Sequence, residues 1–434
     1  MAENNLFVFK KANDGTFTEV IVPEGTDGQA LVTDGAGAWS WGTVGGGAEK
    51  SLLDYIDLFD MTPPTNGLSY LVIDRNLSTG APVARASMAF VFQNTDNWIL
   101  KRCDVNGAVC DTEEISYGVT KYINLITEDS LITPYGLLTL YKIQAKTSTN
   151  KLLNYATTAM PYLVLVKLVF ANDSCDELTT MPVIAATPEG ASLVDIVLPV
   201  SMNKVTTLSG FLGGLAVLKK ITLPTSMSLL TIMTNALKAS VVNPIVLPTT
   251  TGVITAMDGI CMGDYNLQEF TFNAGNYDSL TTMAAAWNMC YQLTTINNFP
   301  TSMNALTTLW LTFSDVDLPT ITLPATLNAL TTMASMARNC YNLITLTLPT
   351  SATSVTTINS MCQNDVNIET ITECTNWGTN QIDATSVVTN AFKLLTFKQS
   401  AMRVSKIGIY GTVAKANTIT SIDIDYANST FLGT

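Results

Sequence analysis

The amino-acid sequence predicts a β-rich chain with short helices, most of it a solenoid of about eight coils of roughly 25 residues each. Apolar–proline steps recur at Leu198-Pro199, Leu223-Pro224, Leu247-Pro248, Phe299-Pro300, Leu323-Pro324 and Leu348-Pro349, with Phe272-Asn273 and Glu373-Cys374 in equivalent places. Between these steps runs a repeated pattern, clearest in Ile321–Thr345 (ITLPATLNALTTMASMARNCYNLIT). Upstream the repeat is absent, and apolar–polar alternation is broken by Asp-Gly and Asn-Gly turns, as in antiparallel hairpins.

Residues 1–44 read as a small N-terminal β module. Leu6–Phe9 and Thr18–Val22 alternate around Asn13-Asp14-Gly15. Two further Asp-Gly steps bracket Gln29–Thr33, and Trp39 and Trp41 lie two apart, on one face of a strand. The segment Gly25–Trp41, GTDGQALVTDGAGAWSW, resembles one found near the N-termini of bacteriophage head-fibre and tail-fibre proteins. That resemblance implies that Gly25, Asp27, Gly28, Gln29, Asp34, Gly35, Trp39 and Trp41 anchor the chain to other virion proteins, of capsid or tail. It also implies a homo-oligomer, most often a trimer. Residues 45–50, opening on Gly45–Gly47, form a Gly-rich linker.

Residues 51–150 form a β-rich middle domain. Apolar residues at 52, 53, 56 and 59 predict a helix over Ser51–Phe59, ended by Pro63-Pro64. Strands are expected at Ser69–Ile73, Met88–Phe92, Trp98–Arg102, Lys121–Ile126 and Leu137–Ile143. Asn106-Gly107 predicts a two-residue hairpin joining Lys101–Val105 to Ala108–Thr112. Counting outward from that turn puts Cys103 opposite Cys110. Reduced thiols fit folding in a cytoplasm; a disulfide fits a finished particle in oxidising surroundings. Asp104-Val105-Asn106-Gly107 resembles the start of a calcium loop, but no later ligand follows, so it reads as the hairpin turn.

Residues 151–434 form the solenoid, with a cap from about residue 398. Leu163–Phe170 (LVLVKLVF) is too short to span a membrane and reads as a core strand. In each coil a strand is stopped near the proline, a second apolar point follows, and a helix-like turn places residues such as Met336, Cys340 and Leu343 three or four apart. One coil cannot bury its own apolar side, so these residues must stack on neighbouring coils. Cys175, Cys290 and Cys340 lie three residues before a repeat leucine, and Cys261 and Cys362 six before, which places them inward as small core hydrophobes. The Thr-Thr pairs, as at 331–332, stack as hydroxyl ladders or cap turns. The period and the pattern IxLPxSxxxLTTMxxMxxxCxxLTT resemble the leucine-rich-repeat subclass of BspA-like bacterial surface proteins. The repeat therefore implies a leucine-rich-repeat-like solenoid for surface adhesion. Its recognition face would be outward strand residues such as Thr222, Thr322 and Thr347. Ile407–Tyr410 and Thr418–Tyr426 read as plain strands of the cap. Asp423 and Asp425 discourage edge pairing.

Composition narrows the function. The chain of 434 residues has no histidine, 13 % charged residues and a formal net charge of −13. Clustered Lys/Arg for nucleic acid or anionic membrane are missing from the sequence. The lack of histidine removes the commonest general base and zinc ligand. No nucleophile has an identifiable base, and Gly210–Gly214 (GFLGG) reads as a loosened turn. The expectation is a non-enzymatic protein without cofactor or metal. It is made in a bacterial cytoplasm without a signal peptide and assembled into a tailed-phage virion as a head fibre, tail fibre or capsid decoration. There it contacts a bacterial surface protein or glycan. The alternative is a bacterial BspA-like surface adhesin.

Overall fold

The computed structural model describes residues 6–11, 17–22, 29–33, 39–43, 50–74, 85–124, 130–155, 165–173, 175–179, 181, 192–407 and 421–425. They fall in two compact units, Met1–Tyr55 and Ile56–Thr434. In the first, β1 (Leu6–Lys11) and β2 (Phe17–Val22) pair antiparallel, and so do β3 (Gln29–Thr33) and β4 (Trp39–Thr43). Helix α1 (Leu52–Ile56) is shorter than its apolar spacing predicts. Its start is set by Asp54, whose Oδ2 accepts both the N–H (2.6 Å) and the hydroxyl (2.8 Å) of Ser51.

The second unit opens with antiparallel strands: β5 (Gly67–Asp74), β6 (Arg85–Met88), β7 (Phe90–Phe92), β8 (Trp98–Cys103), β9 (Val109–Ile115), β10 (Lys121–Asn124), β11 (Leu131–Thr133), β12 (Gly136–Ala145) and β13 (Leu152–Tyr155). Then come β14 (Leu165–Phe170), β15 (Asp195–Val197), β16 (Lys220–Thr222), β17 (Ser226–Met227), β18 (Ile245–Val246), β19 (Thr250–Thr251), β20 (Glu269–Thr271), β21 (Thr295–Asn297), β22 (Thr320–Thr322), β23 (Thr345–Thr347), β24 (Thr370–Ile371), β25 (Ile382–Ala384), β26 (Thr396–Gln399), β27 (Val404–Ile407) and β28 (Ser421–Ile424). The chain is β-rich with almost no helix. Its inward strand residues Ile196, Ile221, Ile245, Phe270, Ile296, Ile321, Leu346, Ile371 and Phe397 mark about nine turns of about 25 residues.

One sheet, in the order β16-β15-β14-β5-β12-β8-β9 with β11 beside β12, crosses from the antiparallel region into the solenoid. β14 is the joint. Leu168 lies opposite Tyr70 of antiparallel β5 on one side and Ile196 of parallel β15 on the other. β5 is buried along its whole length, as its nearly continuous apolar run GLSYLVID requires of a central strand. It occupies the edge that the first coil would otherwise leave open to strand addition. Next to it, Lys167 of β14 pairs with Asp195 of β15 at 2.9 Å. Their side chains are only 12 % and 2 % exposed.

Two expectations are corrected. The hairpin after β8 has a three-residue loop. Asp104 N–H donates to the Ala108 carbonyl at 3.0 Å, and Gly107 sits at φ 81°, the left-handed conformation that closes such a loop. Cys103 therefore faces Val109, and the register slips before Arg102↔Asp111, leaving Cys110 in a bulge. Cys103 is buried, Cys110 is exposed, and no disulfide joins them.

The helix-like slot of each coil is a pair of turns. Left-handed residues recur four apart at Gly210/Gly214, Asn235/Ala239, Gly259/Gly263, Ser335/Asn339, Ser360/Asn364 and Ser386/Asn390. Alternate N–H groups reach the next coil: Met333, Ser335, Ala337 and Asn339 donate to carbonyls of Thr357, Asn359, Met361 and Gln363 at 2.8–3.0 Å. A helix would close those bonds inside its own coil and leave the stack without them. Gly and Asn tolerate positive φ, which accounts for Gly210 and Gly214 of the GFLGG stretch.

The strand ladder itself breaks three times, between β16 and β18, between β21 and β22 and between β24 and β26. At the β20–β21 and β23–β24 joints two successive N–H groups share one carbonyl of the preceding coil. Thr294 and Thr295 bond Gln268 O, and Glu369 and Thr370 bond Ile344 O. At the first two breaks this donor place holds Pro244 or Pro319, which have no N–H to give, whereas no proline stands at the third.

Candidate recognition surfaces

The core takes up the residues that dominate the repeat. Met333, Met336, Cys340 and Leu343 are fully buried, as are Cys175, Cys261, Cys290 and Cys362. In the middle coils Trp287 stacks on Phe313 (centroids 5.4 Å apart, 12° between planes) and meets Phe270 and Phe272 edge-on. Burial pushes the Cys340 and Cys362 thiols well above their ordinary range, and that of Cys374 up to about 11. These are unreactive thiols. Among the described residues no three His, Cys, Asp or Glu side chains are grouped to hold a metal ion.

The Thr-Thr pairs do two jobs. Thr231, Thr255, Thr281, Thr307, Thr331 and Thr356 each donate both N–H and Oγ1–H to the carbonyl of the equivalent Thr one coil earlier, at 2.8–3.2 Å. The second member caps the turn that follows: Thr308 Oγ1 accepts from Trp310 N–H at 3.1 Å and Thr332 Oγ1 from Ala334 N–H at 3.1 Å. Those hydroxyls are spent on the fold. A second ladder runs Asp315–Asn339–Asn364–Asn390, each amide Nδ2 donating to the preceding Oδ1 at 2.8–3.0 Å.

The outward surface is what remains. Thr322 and Thr347 are direct neighbours in the register of β22 and β23, beside the pair Thr320↔Thr345. Thr222 stands on β16, in a different sheet, exposed to solvent. A second surface lies at the corner where each turn slot returns to the strand. Tyr265, Tyr291 and Tyr341 are each more than half exposed, and Tyr265 and Tyr291 stack at 5.6 Å with 7° between ring planes. Beside them, Asn342 Nδ2 donates to Asp317 Oδ1, and Asn367 Nδ2 to the Tyr341 carbonyl at 2.7 Å. This row was written in the sequence as Asp264-Tyr265, Cys290-Tyr291 and Cys340-Tyr341, one tyrosine after each buried corner residue. Sequence reasoning attended to the buried partner and passed over the exposed one.

Two buried carboxyls share that corner. Asp264 accepts the Asn266 and Leu267 N–H groups on Oδ1, and Val242 N–H and the Ser240 hydroxyl on Oδ2, at 3.1–3.2 Å. Burial outweighs these bonds and raises its pKa to about 7. Ser240 also donates to Leu237 O at 2.8 Å, so a protonated Oδ2 can donate to Ser240 in turn. Asp365 is buried more deeply and is pushed well above the usual carboxylate range for the same reason.

Of the residues expected to anchor the chain, Gln29 lies in β3 and Trp39 and Trp41 in β4, with Thr33↔Trp39 and Leu31↔Trp41 as paired positions. Gly25, Asp27, Gly28, Asp34 and Gly35, with the linker at 45–47, lie outside the described residues. Asp104 turns its hairpin by accepting Ala108 N–H at 2.8 Å, and Asp425 pairs with Arg403 at 3.5 Å. No helix among the described residues is long and apolar enough to cross a membrane. The fold and surfaces thus define a capped parallel β-solenoid with a polar, sparsely charged exterior. The chain matches no protein-family model, no curated protein and no solved structure.

Proposed function

We propose that this chain is a structural protein of a tailed-bacteriophage virion, a head fibre, tail fibre or capsid decoration. Its N-terminal unit attaches to capsid or tail, and its solenoid presents an adhesive surface to a bacterial surface protein or glycan. Two resemblances support the reading: Gly25–Trp41 to phage fibre segments, and the coil pattern to BspA-like surface repeats. The observation that carries the adhesive half is the division of labour within each coil. Most repeat Leu, Met and Cys side chains are buried in the stack, while Thr, Asn and exposed Tyr side chains stand outward, with Tyr265 and Tyr291 stacked on each other. Such surfaces suit hydroxyl-rich ligands. Assembly as a homo-oligomer, with a trimer expected, belongs to the same proposal.

The test is mass spectrometry of purified particles together with binding of the fluorescently labelled full chain to host cells. The chain is expected in stoichiometric amount in particles and on the cell surface. Its absence from particles, or its recovery in a bacterial envelope fraction without phage genes, would overturn the virion assignment in favour of a BspA-like adhesin.

A further inference from the structure

We infer that the groove between β16 and β18 is a binding site for an acidic sugar residue of a bacterial polysaccharide, a hexuronate. This rests on the adhesive reading above and names its ligand chemistry. The groove exists because Pro244 cannot donate to the preceding coil. No backbone hydrogen bond joins residues 219–224 to residues 242–249, so the two strand edges face each other unpaired. Asn243 does not repair the break, because its Oδ1 is occupied on the far side by the N–H groups of Gln268 (2.9 Å) and Glu269 (3.2 Å). The resulting concavity is about 350 Å³, within the range of a small-molecule site and wide enough for a sugar ring or two.

Its chemistry is composite. Unpaired main-chain edges and the hydroxyls of exposed Thr222 and Thr249 offer donors and acceptors to ring hydroxyls. Val246, which is 55 % exposed, and Pro224 and Pro248 give an apolar wall for the C–H face of a pyranose. Lys219 and Lys220 stand at the rim, both exposed and neither paired to a carboxylate of the described residues. In a chain of net charge −13, this places two adjacent cations beside a polar and apolar cleft. A hydroxylated ring carrying one negative charge complements all three. The second break, at Pro319, has no such cations along β21 and β22.

Isothermal titration of the full chain with mannuronate and galacturonate hexamers, with dextran and with inorganic polyphosphate tests the inference. A uronate hexamer is expected to bind with an affinity that falls as salt rises, and dextran to bind far more weakly. K219Q/K220Q should weaken uronate binding about tenfold or more, Val246→Trp should block it by filling the groove, and R338Q in the turn slot should leave it unchanged. Equal binding of dextran, preference for polyphosphate, unchanged uronate binding by K219Q/K220Q, or no uronate binding at all would each overturn the groove assignment. Host-cell binding by the same preparations separates the two ideas. If wild type and K219Q/K220Q both adhere to cells, only the groove falls; if wild type adheres to none, the adhesive reading falls with it.

Discussion

Charged side chains pair in and around the antiparallel sheet: Lys142 with Asp60, Lys146 with Glu114, Lys121 with Glu113, and Lys167 with Asp195. Among the described residues from 205 to 368, all within the solenoid, there is no ion pair, and Thr and Asn ladders run in their place. In an antiparallel sheet each strand has its own neighbours, so a Lys on one can find a Glu on another. In a parallel solenoid the same position recurs every coil, about 4.8 Å away. A repeated Lys or Glu would therefore stack on its own sign. Only groups that both donate and accept can be copied from coil to coil, and hydroxyls and primary amides are those groups. Ion pairs return at Lys393–Glu369 and Lys398–Glu373, where the repeat decays.

The largest effect that would sharpen this contrast is expected at the joint. Lys167→Met leaves Asp195 buried without its partner and should cost about 3–5 kcal/mol, read from urea unfolding. A much smaller loss would mean that the joint is held by strand pairing alone.

Next comes pH. Asp264 holds its proton to about pH 7 when folded, against 3.8 for its ordinary value, so the folded state binds the proton more tightly. The cost of burying its charge is absent below about pH 4, grows through the interval and is complete above 7. Exposed Glu114 and Glu373, both held low by hydrogen bonds, act oppositely and lose their contribution as pH falls through the acid range. Solenoid stability should therefore decline from pH 5 to pH 8, and Asp264→Asn should flatten the decline. A stability rising across that interval would contradict the assignment.

Within the ladders, Asn364→Gly keeps the residue tolerant of its φ of 70° while removing bonds to Asn339 and Asn390, at an expected cost of about 1–3 kcal/mol. Thr331→Val removes one hydroxyl but leaves the backbone bond to Thr307 O, for about 1 kcal/mol. Hydrogen exchange should localise both losses to adjacent coils. If Thr331→Val cost as much as Asn364→Gly, the two ladders would not differ as described.

Much of this architecture was legible beforehand. The period marked the coils, and the i, i+3 and i+6 spacings marked which side chains turn inward. Those spacings suit a helix and a double turn alike, since both bring Met336, Cys340 and Leu343 to one side. The destination of the backbone N–H groups separates the two, and residue pattern alone does not state it. The Gly/Asn recurrence at positive φ was the available signal. Cys103 and Cys110 were misaligned for a related reason: Asn-Gly marks a hairpin without deciding between a two- and a three-residue loop. The groove was hidden because Pro244 acts by withholding a bond from another coil, 25 residues away in sequence.

The ladders also bear on how such a molecule changes over generations. Thr331 gives to Thr307 the same two bonds that Thr356 gives to Thr331. A coil's upper surface therefore fits the lower surface of any other coil of its kind. An in-frame duplication of one such segment would seat between existing neighbours without new contacts having to arise. Length, and with it reach, can then vary in whole units while the capped N-terminal end stays as it is.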